Sequence, residues 1–163
     1  MIERTLVLLK TDAVSRSLIG TIITRFENAG LKIVGMKMVW CDKDRALMHY
    51  TEDITKRLGE YVRNKLIKSL TSGPVVAVCF EGIEAVEVVR KIVGSTEPKT
   101  AAPGTIRGDF AHMSYVRADK KDVALPNLIH ASSNKEEANS EISIWFSDSE
   151  LHSYRIAHED IVF

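Results

Sequence analysis

Short apolar runs alternate with amphipathic stretches along the chain. Residues 3–10 form an apolar run between polar ends, which is typical of a short buried strand. In residues 14–29 the apolar side chains recur at helical spacing as one stripe, and Gly30 then supplies a stop signal. Residues 31–40 are rich in β-branched side chains and partly alternate, which predicts a second strand. On the face of this strand that carries Lys32, we expect core residues at Val34, Met36, Met38 and Trp40.

The rest of the chain predicts further strands and helices in alternation. The Ser-Gly-Pro sequence of residues 72–74 interrupts the pattern, and residues 94–109 show no periodicity, which indicates an ordered or functional loop. Ser133, with Glu136 at the position that a capping box requires, opens a final helix to about residue 146. The other predicted elements are polar helices over 42–50 and onward to about 71, a strand over 75–80, a helix over 83–93 and a short strand over 127–131.

This order of elements favours a mixed α/β (α+β) fold. Two strands flank each crossover, as in a split β-α-β unit, so a ferredoxin-like sandwich with a four-stranded antiparallel sheet fits. A flavodoxin-like parallel sheet fits the pattern nearly as well, and periodicity does not decide between the two. Because no repeat, low-complexity tract or linker stands out, we predict that residues 1–163 form a single domain.

Composition narrows the class of protein. The chain is 45% hydrophobic and 27% charged, and its 22 basic and 22 acidic side chains cancel. Net charge therefore attracts neither nucleic acid nor an anionic membrane, and any anion site must be a local cluster of cations. The apolar runs are far shorter than the roughly 20 residues of a membrane span, and the start is no signal peptide, so we expect a cytoplasmic protein. Cys41 and Cys79 form no CxxC pair and are expected to be buried thiols.

Three cationic side chains come from three different predicted elements. Lys10 ends a strand, Arg90 lies late on a helix, and Arg107 follows in the Gly/Pro-rich loop, while Thr96 supplies a hydroxyl. Several cations with a hydroxyl and loop amides are what binding a polyphosphate requires. Arginine forks suit phosphoryl transfer in particular, because they hold two phosphate oxygens in fixed geometry.

His130 lies where an apolar strand gives way to small polar residues. A neutral imidazole there is nucleophilic near pH 7, and it works best when a carboxylate fixes its second nitrogen, a role open to Glu141. Taken singly, these residues also have ordinary interpretations as surface or core side chains. That ordinary interpretation is the one we adopt for four other histidines, His49, His112, His152 and His158.

Taken together, these residues belong to longer motifs that match a known family. The chain resembles the nucleoside diphosphate kinases along most of its length, and the segments around Arg107 and His130 are long and specific. The matching segments are 3–5 with 9–10, 18–20, 25–27, 49–50, 72–76, Gly94, 96–98, Pro103-Gly104-Thr105-Ile106-Arg107-Gly108-Asp109-Phe110, Asn127-Leu128-Ile129-His130-Ala131-Ser132 and 141–146.

The resemblance implies a ferredoxin-like fold and a ping-pong cycle between nucleoside tri- and diphosphates. His130 would carry the phosphoryl group, oriented by Glu141 with Ser132 close by, and Tyr50 would pack beside it. Asn127, together with Lys10, would contact the sugar hydroxyl. The phosphates would be bound by Lys10, Arg90, Thr96 and Arg107. Mg²⁺ would be shared between the outer two phosphates, with no metal ligand from the protein. The family also implies a homo-oligomer, with a hexamer favoured over a tetramer and residues 95–110 at subunit contacts.

Four features depart from the family pattern. Thr11 replaces the usual proline, which would loosen the placement of Lys10, and Ser133 replaces a frequent aspartate. The aromatic residue that stacks on the base has no equivalent, because Val62 takes that position beside Tyr61; we therefore expect weak, unselective base binding. Residues 111–126 are longer than usual, and a plain hairpin extension is the favoured interpretation over a flap or an interface.

Two functions other than the enzyme remain open from sequence. The same fold would serve a nucleotide-binding regulator, but a regulator has no need for both the nucleophile and its carboxylate. A DNA-binding or nuclease role is disfavoured by the neutral chain, and strongly salt-dependent DNA affinity would reopen it.

Overall fold

Strand β1 (Ile2–Leu9) runs through a four-stranded antiparallel sheet in the computed structural model, which describes residues 1–157 and 159–162. It pairs on one side with β3 (Pro74–Ile83) and on the other with β4 (Ile129–Ala131). Strand β2 (Lys32–Trp40) pairs with β3, which gives the order β2-β3-β1-β4. The ferredoxin-like sandwich is thus confirmed, and a flavodoxin-like parallel sheet is excluded. His158 lies outside the described residues.

Helices cover both faces of this sheet. On one face α2 and α6 pack against β1 and β3, and on the other α3, α5 and α9 do so. Short 3-10 turns follow at 98–100 and 148–150. In chain order the helices are α1 (Thr11–Ser15), α2 (Ile19–Glu27), α3 (Lys43–His49), α4 (Glu52–Leu58), α5 (Glu60–Leu70), α6 (Ala85–Val93), α7 (Ile106–Phe110), α8 (Tyr115–Lys120), α9 (Lys135–Trp145) and α10 (Glu159–Val162).

Strand β1 contributes to two separate cores. Val7 and Leu9 face α2 and α6, whereas Leu6 and Leu8 face the aromatic side of α9, and all four are fully buried. A strand that is covered on both faces must be apolar at successive positions, which explains the unbroken run in the sequence. Cys41 and Cys79 are buried free thiols in the second core, as predicted.

The prediction that Met36, Met38 and Trp40 are core residues is wrong. Their side chains are 55%, 55% and 68% exposed, respectively. A β-bulge shifts the register between Ile33 and Gly35, and a shift of one residue exchanges the faces of every later side chain. Val39 therefore joins the core that holds Val34, and the three larger residues lie on the uncovered face of an edge strand.

Three predicted helix boundaries also need correction. The helix over 14–29 is two helices, α1 and α2, separated at Ser17, whose φ is 57°. The helical stretch up to residue 71 is likewise divided at Gly59, whose φ of 88° a side chain would oppose. Ser133 does not cap the last helix, because the Asn134 side chain accepts the N–H of Glu137 instead.

Two predicted loops contain helices. Residues 94–109 include a 3-10 turn and the start of α7, whose N-cap is Thr105. The segment 111–126 contains α8 rather than the hairpin extension that we predicted, and Ser114 caps this helix by accepting the N–H of Arg117. Of this segment only Ala118 is buried, consistent with a surface element. None of the helices in the described residues combines the length and apolar character that crossing a bilayer requires.

Candidate active site

A pocket of 360 Å³ opens where the carboxyl end of β1, strand β4 and the ends of several helices meet. Its walls bring together residues that lie far apart in the sequence. All but one of the predicted site residues line it: Lys10, Tyr50, Arg90, Thr96, Arg107, Asn127, His130 and Glu141. The exception is Val62, which is 36% exposed and is not among the lining residues.

His130 is held by a carboxylate. Its Nε2 lies 2.8 Å from Oε1 and 3.0 Å from Oε2 of Glu141, which is 5% exposed on α9. The buried hydroxyl of Ser132 donates to the same carboxylate at 2.6 Å. Burial alone would raise the pKa of Glu141, but the adjacent His130 and the Ser132 hydroxyl hold that pKa below its ordinary value of 4.5. An ionised Glu141 accepts the proton of Nε2, so the lone pair of His130 resides on Nδ1.

His49 packs against this pair from the buried side. Its ring meets the His130 ring edge-on at 4.6 Å, and its Nδ1 lies 3.5 Å from Oε1 of Glu141. The indole N–H of Trp145 donates weakly to the same Nδ1, at 3.4 Å. Burial, reinforced by the neighbouring His130, lowers the pKa of His49 to about 3, so this imidazole is neutral. Tyr50 contacts His49 at 4.8 Å between ring centroids and lines the pocket beside it.

Arg107 is fixed in place by the backbone. Its guanidinium donates to three carbonyl oxygens, those of Gly94 at 2.9 Å, Asn127 at 3.2 Å and Ile129 at 2.6 Å. Burial, with the charge of nearby Arg90, lowers the pKa of Arg107 to about 10, so it remains cationic at neutral pH. Since a guanidinium has five N–H groups, two are left for a ligand in the pocket.

Lys10 directly follows β1 and is 8% exposed. Burial lowers its pKa to about 8; Asp12 opposes that shift and Arg107 adds to it. The neighbouring Leu128 has a φ of 70°, a conformation rare for a branched side chain. Two contacts hold this turn, because the N–H of Leu128 donates to Asp12 at 2.9 Å and its carbonyl accepts the N–H of Lys10 at 2.8 Å. The chain around Lys10 therefore also positions the turn that leads into His130.

Asn127 carries a buried polar atom without a partner. Its amide nitrogen donates to the carbonyl of Thr96 at 2.9 Å, but Oδ1 accepts no hydrogen bond within the part of the chain that the structure describes. A buried acceptor of this kind on a pocket wall suits a hydroxyl donor from a ligand. Arg90, in contrast, is exposed on α6 and contributes charge to the mouth of the pocket.

The apolar end of the pocket lies at α4 and α5. Ile54, Leu58 and Leu66 line it, rather than the predicted Val62. Tyr61 points instead to Asp122, with which its hydroxyl forms a hydrogen bond. The structure thus supplies an aliphatic wall and brings neither Val62 nor Tyr61 into the pocket.

The sequence profile of the nucleoside diphosphate kinases matches residues 3–151, which is most of the chain. This chain belongs to the nucleoside diphosphate kinase family. The nucleoside diphosphate kinase of Pyrococcus horikoshii is 53% identical over 152 residues, which cover 93% of this chain and 90% of that protein. The enzyme of Borreliella burgdorferi is 46% identical over 156 residues, covering 95% and 93% of the two chains.

Solved structures of the family agree with the fold. A transition-state mimic of the Borrelia burgdorferi nucleoside-diphosphate kinase, with bound vanadate and ADP, superimposes with a TM-score of 0.96 at 45% identity, covering 99% of this chain and 96% of that one. A halophilic nucleoside diphosphate kinase from Halobacterium salinarum in complex with CDP gives a TM-score of 0.84 at 37% identity, covering 100% and 99%.

Sequence reasoning also missed His49 and Asp12, which shape the site around His130. His49 was assigned an ordinary surface or core role, yet it contacts both His130 and Glu141. Its only sequence signal is its place directly before Tyr50. Asp12 was not singled out, because nothing in the sequence connects it to the turn at Leu128.

Proposed function

We propose that this chain is a nucleoside diphosphate kinase in which His130 accepts the γ-phosphoryl group of a triphosphate and passes it to a different diphosphate. The observation that carries the proposal is the contact of 2.8 Å between His130 Nε2 and Glu141 in a pocket lined by Lys10, Arg90 and Arg107. Family membership supports the same activity. A carboxylate-oriented imidazole among cations is suited to covalent phosphoryl transfer.

The tautomer of His130 defines the reacting atom. With its proton on Nε2 and held by Glu141, Nδ1 has the lone pair that attacks the γ-phosphorus. The new N–P bond forms as the bond from phosphorus to the bridging oxygen of the diphosphate breaks, and the diphosphate leaves with that electron pair. The ring becomes positively charged, and the ionised carboxylate of Glu141 stabilises that charge. The reverse step transfers the phosphoryl group to the incoming diphosphate.

The phosphates would be held by Lys10, Arg90, Thr96 and Arg107. The two N–H groups that Arg107 does not use in backbone contacts are available for phosphate oxygens. Mg²⁺ would enter this site bound to the nucleotide phosphates rather than to the protein. The pocket presents mainly cationic side chains, and the Glu141 carboxylate is already hydrogen-bonded by His130 and Ser132. The charge of the phosphates would then be neutralised in part by the ion.

The nucleoside would lie between Asn127 and the helical wall. The unpartnered Oδ1 of Asn127 would accept a sugar hydroxyl, with Lys10 nearby. Leu58 and Leu66 offer an aliphatic surface to the base. Aliphatic contact replaces the stacking of about 1–3 kcal/mol that an aromatic ring would give, so base binding would be weak and unselective. In this proposal Val62 and Tyr61 do not touch the base.

Residues 1–163 would act as one domain of a cytoplasmic homo-oligomer, with a hexamer favoured over a tetramer. The exposed Met36, Met38 and Trp40 on the edge strand are consistent with subunit contacts, since large apolar side chains on an open sheet edge favour association. Light scattering of the purified protein would give the number of subunits. A monomer at micromolar concentration would contradict this part of the proposal.

The activity is tested by mass spectrometry of the protein incubated with ATP and Mg²⁺, then with a different nucleoside diphosphate. We expect an acid-labile phosphate on His130 that disappears as the new triphosphate appears. His130→Ala should form no phosphoenzyme and transfer nothing, whereas His112→Ala, a change of an exposed histidine outside the pocket, should match the wild type. Turnover by folded His130→Ala, or phosphate on another residue, would contradict the covalent route.

A further inference from the structure

His49, His130 and Glu141 bring three potential metal ligands together at the base of the pocket. One ligand atom from each residue can be chosen so that all three lie within 4.8 Å of one another. His130 Nε2 is 2.8 Å and His49 Nδ1 is 3.5 Å from the same oxygen, Oε1 of Glu141. The family's chemistry uses His130 and Glu141 for transfer, and nothing in it requires the second imidazole to converge on the same oxygen.

The spacing suits a tetrahedral ion. Bonds of about 2.0–2.1 Å from Zn²⁺ to imidazole nitrogen and carboxylate oxygen place the donor atoms about 3.3 Å apart. The observed separations of 2.8 Å and 3.5 Å bracket that value. The three ligand atoms together lie within 4.8 Å of one another, so binding requires the two imidazoles to move toward a common centre. Two histidines and one carboxylate are also a donor set of catalytic zinc sites, which keep a fourth position for water. His130 is 22% exposed on its side chain and gives access from the pocket.

We propose that His49, His130 and Glu141 bind a late first-row divalent cation such as Zn²⁺, and that this cation switches off phosphoryl transfer. The cation takes the place of the proton between His130 Nε2 and Glu141. A neutral imidazole has one ring proton, so the metal at Nε2 forces that proton onto Nδ1. The nitrogen that attacks phosphorus then has no lone pair. Occupancy thus blocks the reaction by changing the tautomer, even if the nucleotide is still bound.

The ligands select the type of cation. Imidazole nitrogens favour Zn²⁺ and Cu²⁺, whereas Mg²⁺ prefers oxygen ligands and finds one carboxylate among these three groups. Mg²⁺ that accompanies the nucleotide therefore does not compete for this position. The energetic loss on binding is small at His49, because its hydrogen bond from Trp145 is 3.4 Å long.

Binding is tested without nucleotide, by competition for Zn²⁺ between the purified protein and a chromophoric chelator. We expect one ion per chain, and a loss of affinity of at least about 100-fold in His49→Phe, since removal of a ligand exceeds the cost of removing an outer-shell partner. His49→Gln, which retains a polar side chain, provides a second variant if the phenylalanine does not fold. His112→Gln is the control, because it removes an exposed histidine outside the pocket. Equal Zn²⁺ affinity in wild type and a folded His49 variant would overturn the site.

The tautomer change is tested by long-range ¹H–¹⁵N spectra of the histidine side chains. Saturating Zn²⁺ should move the proton of His130 from Nε2 to Nδ1, and a proton that stays on Nε2 would overturn the mechanism. At buffered free Zn²⁺ with excess Mg²⁺ and ATP, phosphoenzyme formation should fall in proportion to occupancy. This inhibition rests on the proposed role of His130. If no phosphoenzyme forms even without Zn²⁺, the proposed function fails, whereas the binding and tautomer results stand by themselves.

Discussion

Replacing Arg107 with alanine should reduce stability as well as activity. The change removes a donor from each of three backbone carbonyls, those of Gly94, Asn127 and Ile129. A hydrogen bond to a charged group contributes roughly 1.5–3 kcal/mol, so three contribute about 4–9 kcal/mol. Burial of the cation has an opposing cost of roughly 3 kcal/mol, because it lowers the pKa of Arg107 from 12.5 to about 10. We expect a net loss of about 1–6 kcal/mol.

Thermal unfolding at matched protein concentration measures this loss. For a chain of this size, 1 kcal/mol shifts Tm by about 2–4 °C, so the variant should melt on the order of 10 °C lower. Concentration must be matched, because the proposed subunit association would make Tm depend on it. Single-turnover phosphorylation by ATP, measured well below the new Tm, should slow by roughly 10²–10³-fold, the scale for one preorganised charge partner.

Arg90→Ala is the matched control. This arginine also lines the pocket, but it is exposed, and its side chain makes no hydrogen bond or ion pair with the described residues. Its removal should slow phosphorylation while changing stability by less than about 0.5 kcal/mol. If Arg107→Ala melts within 2 °C of wild type, or Arg90→Ala loses as much stability, the backbone contacts of Arg107 do not have the energetic role assigned to them.

Three further predictions concern single side chains. In Gly108→Ala the new Cβ would lie 2.0 Å from the carbonyl oxygen of Ala102, so urea unfolding should show that the free energy of unfolding falls by more than about 2 kcal/mol. Gly20→Ala, whose new Cβ has nothing within 4 Å, should be neutral or slightly stabilising. Equal losses in the two variants would exclude the clash with Ala102 as the cause. The kcat/KM for ATP should fall above pH about 8, the lowered pKa of buried Lys10, because the neutral amine no longer attracts phosphate. Between about pH 8 and the unfolded pKa of 10.5, the unfolded chain binds more protons at Lys10 than the folded chain does, so the free energy of unfolding should rise with pH. Lys10→Met should lack both pH dependences. If the variant keeps the fall in kcat/KM, another group causes that fall. Glu141→Gln should slow phosphoenzyme formation by about 10²-fold or more in stopped-flow measurements, because a neutral amide does not stabilise the charged ring. A rate near wild type would contradict the role of Glu141.

Much of the fold follows from short-range patterns. Strand β1 and helix α6 were predicted within a few residues, because burial on both faces or on one stripe leaves a clear periodicity. Whether the strands pair in parallel or antiparallel depends on contacts between strands, and the periodicity within one strand carries no information about them. The β-bulge after Ile33 was missed for a related reason, since its effect on Met36 and Met38 depends on pairing with β3.

The same holds for the site: residues in local motifs were predicted, whereas residues whose role depends on distant contacts were not. His130 and Arg107 lie in long motifs, so their convergence was expected from the resemblance, and both line the pocket. The aliphatic wall of the pocket was not predicted, because counting residues to Val62 takes no account of the break between α4 and α5 at Gly59. His49 was missed because its partners, including Glu141, are distant in sequence.

The two-sided burial of β1 has a consequence for how the enzyme loses activity. Each core takes alternate side chains from this one strand, so neither helical layer can detach while the other keeps its packing. Lys10 follows the last residue of that strand, and its backbone holds the turn before His130. Loss of activity on heating should therefore coincide with global unfolding. Amide exchange in β1 should be limited by the full unfolding free energy, with no partly folded species that retains a working pocket.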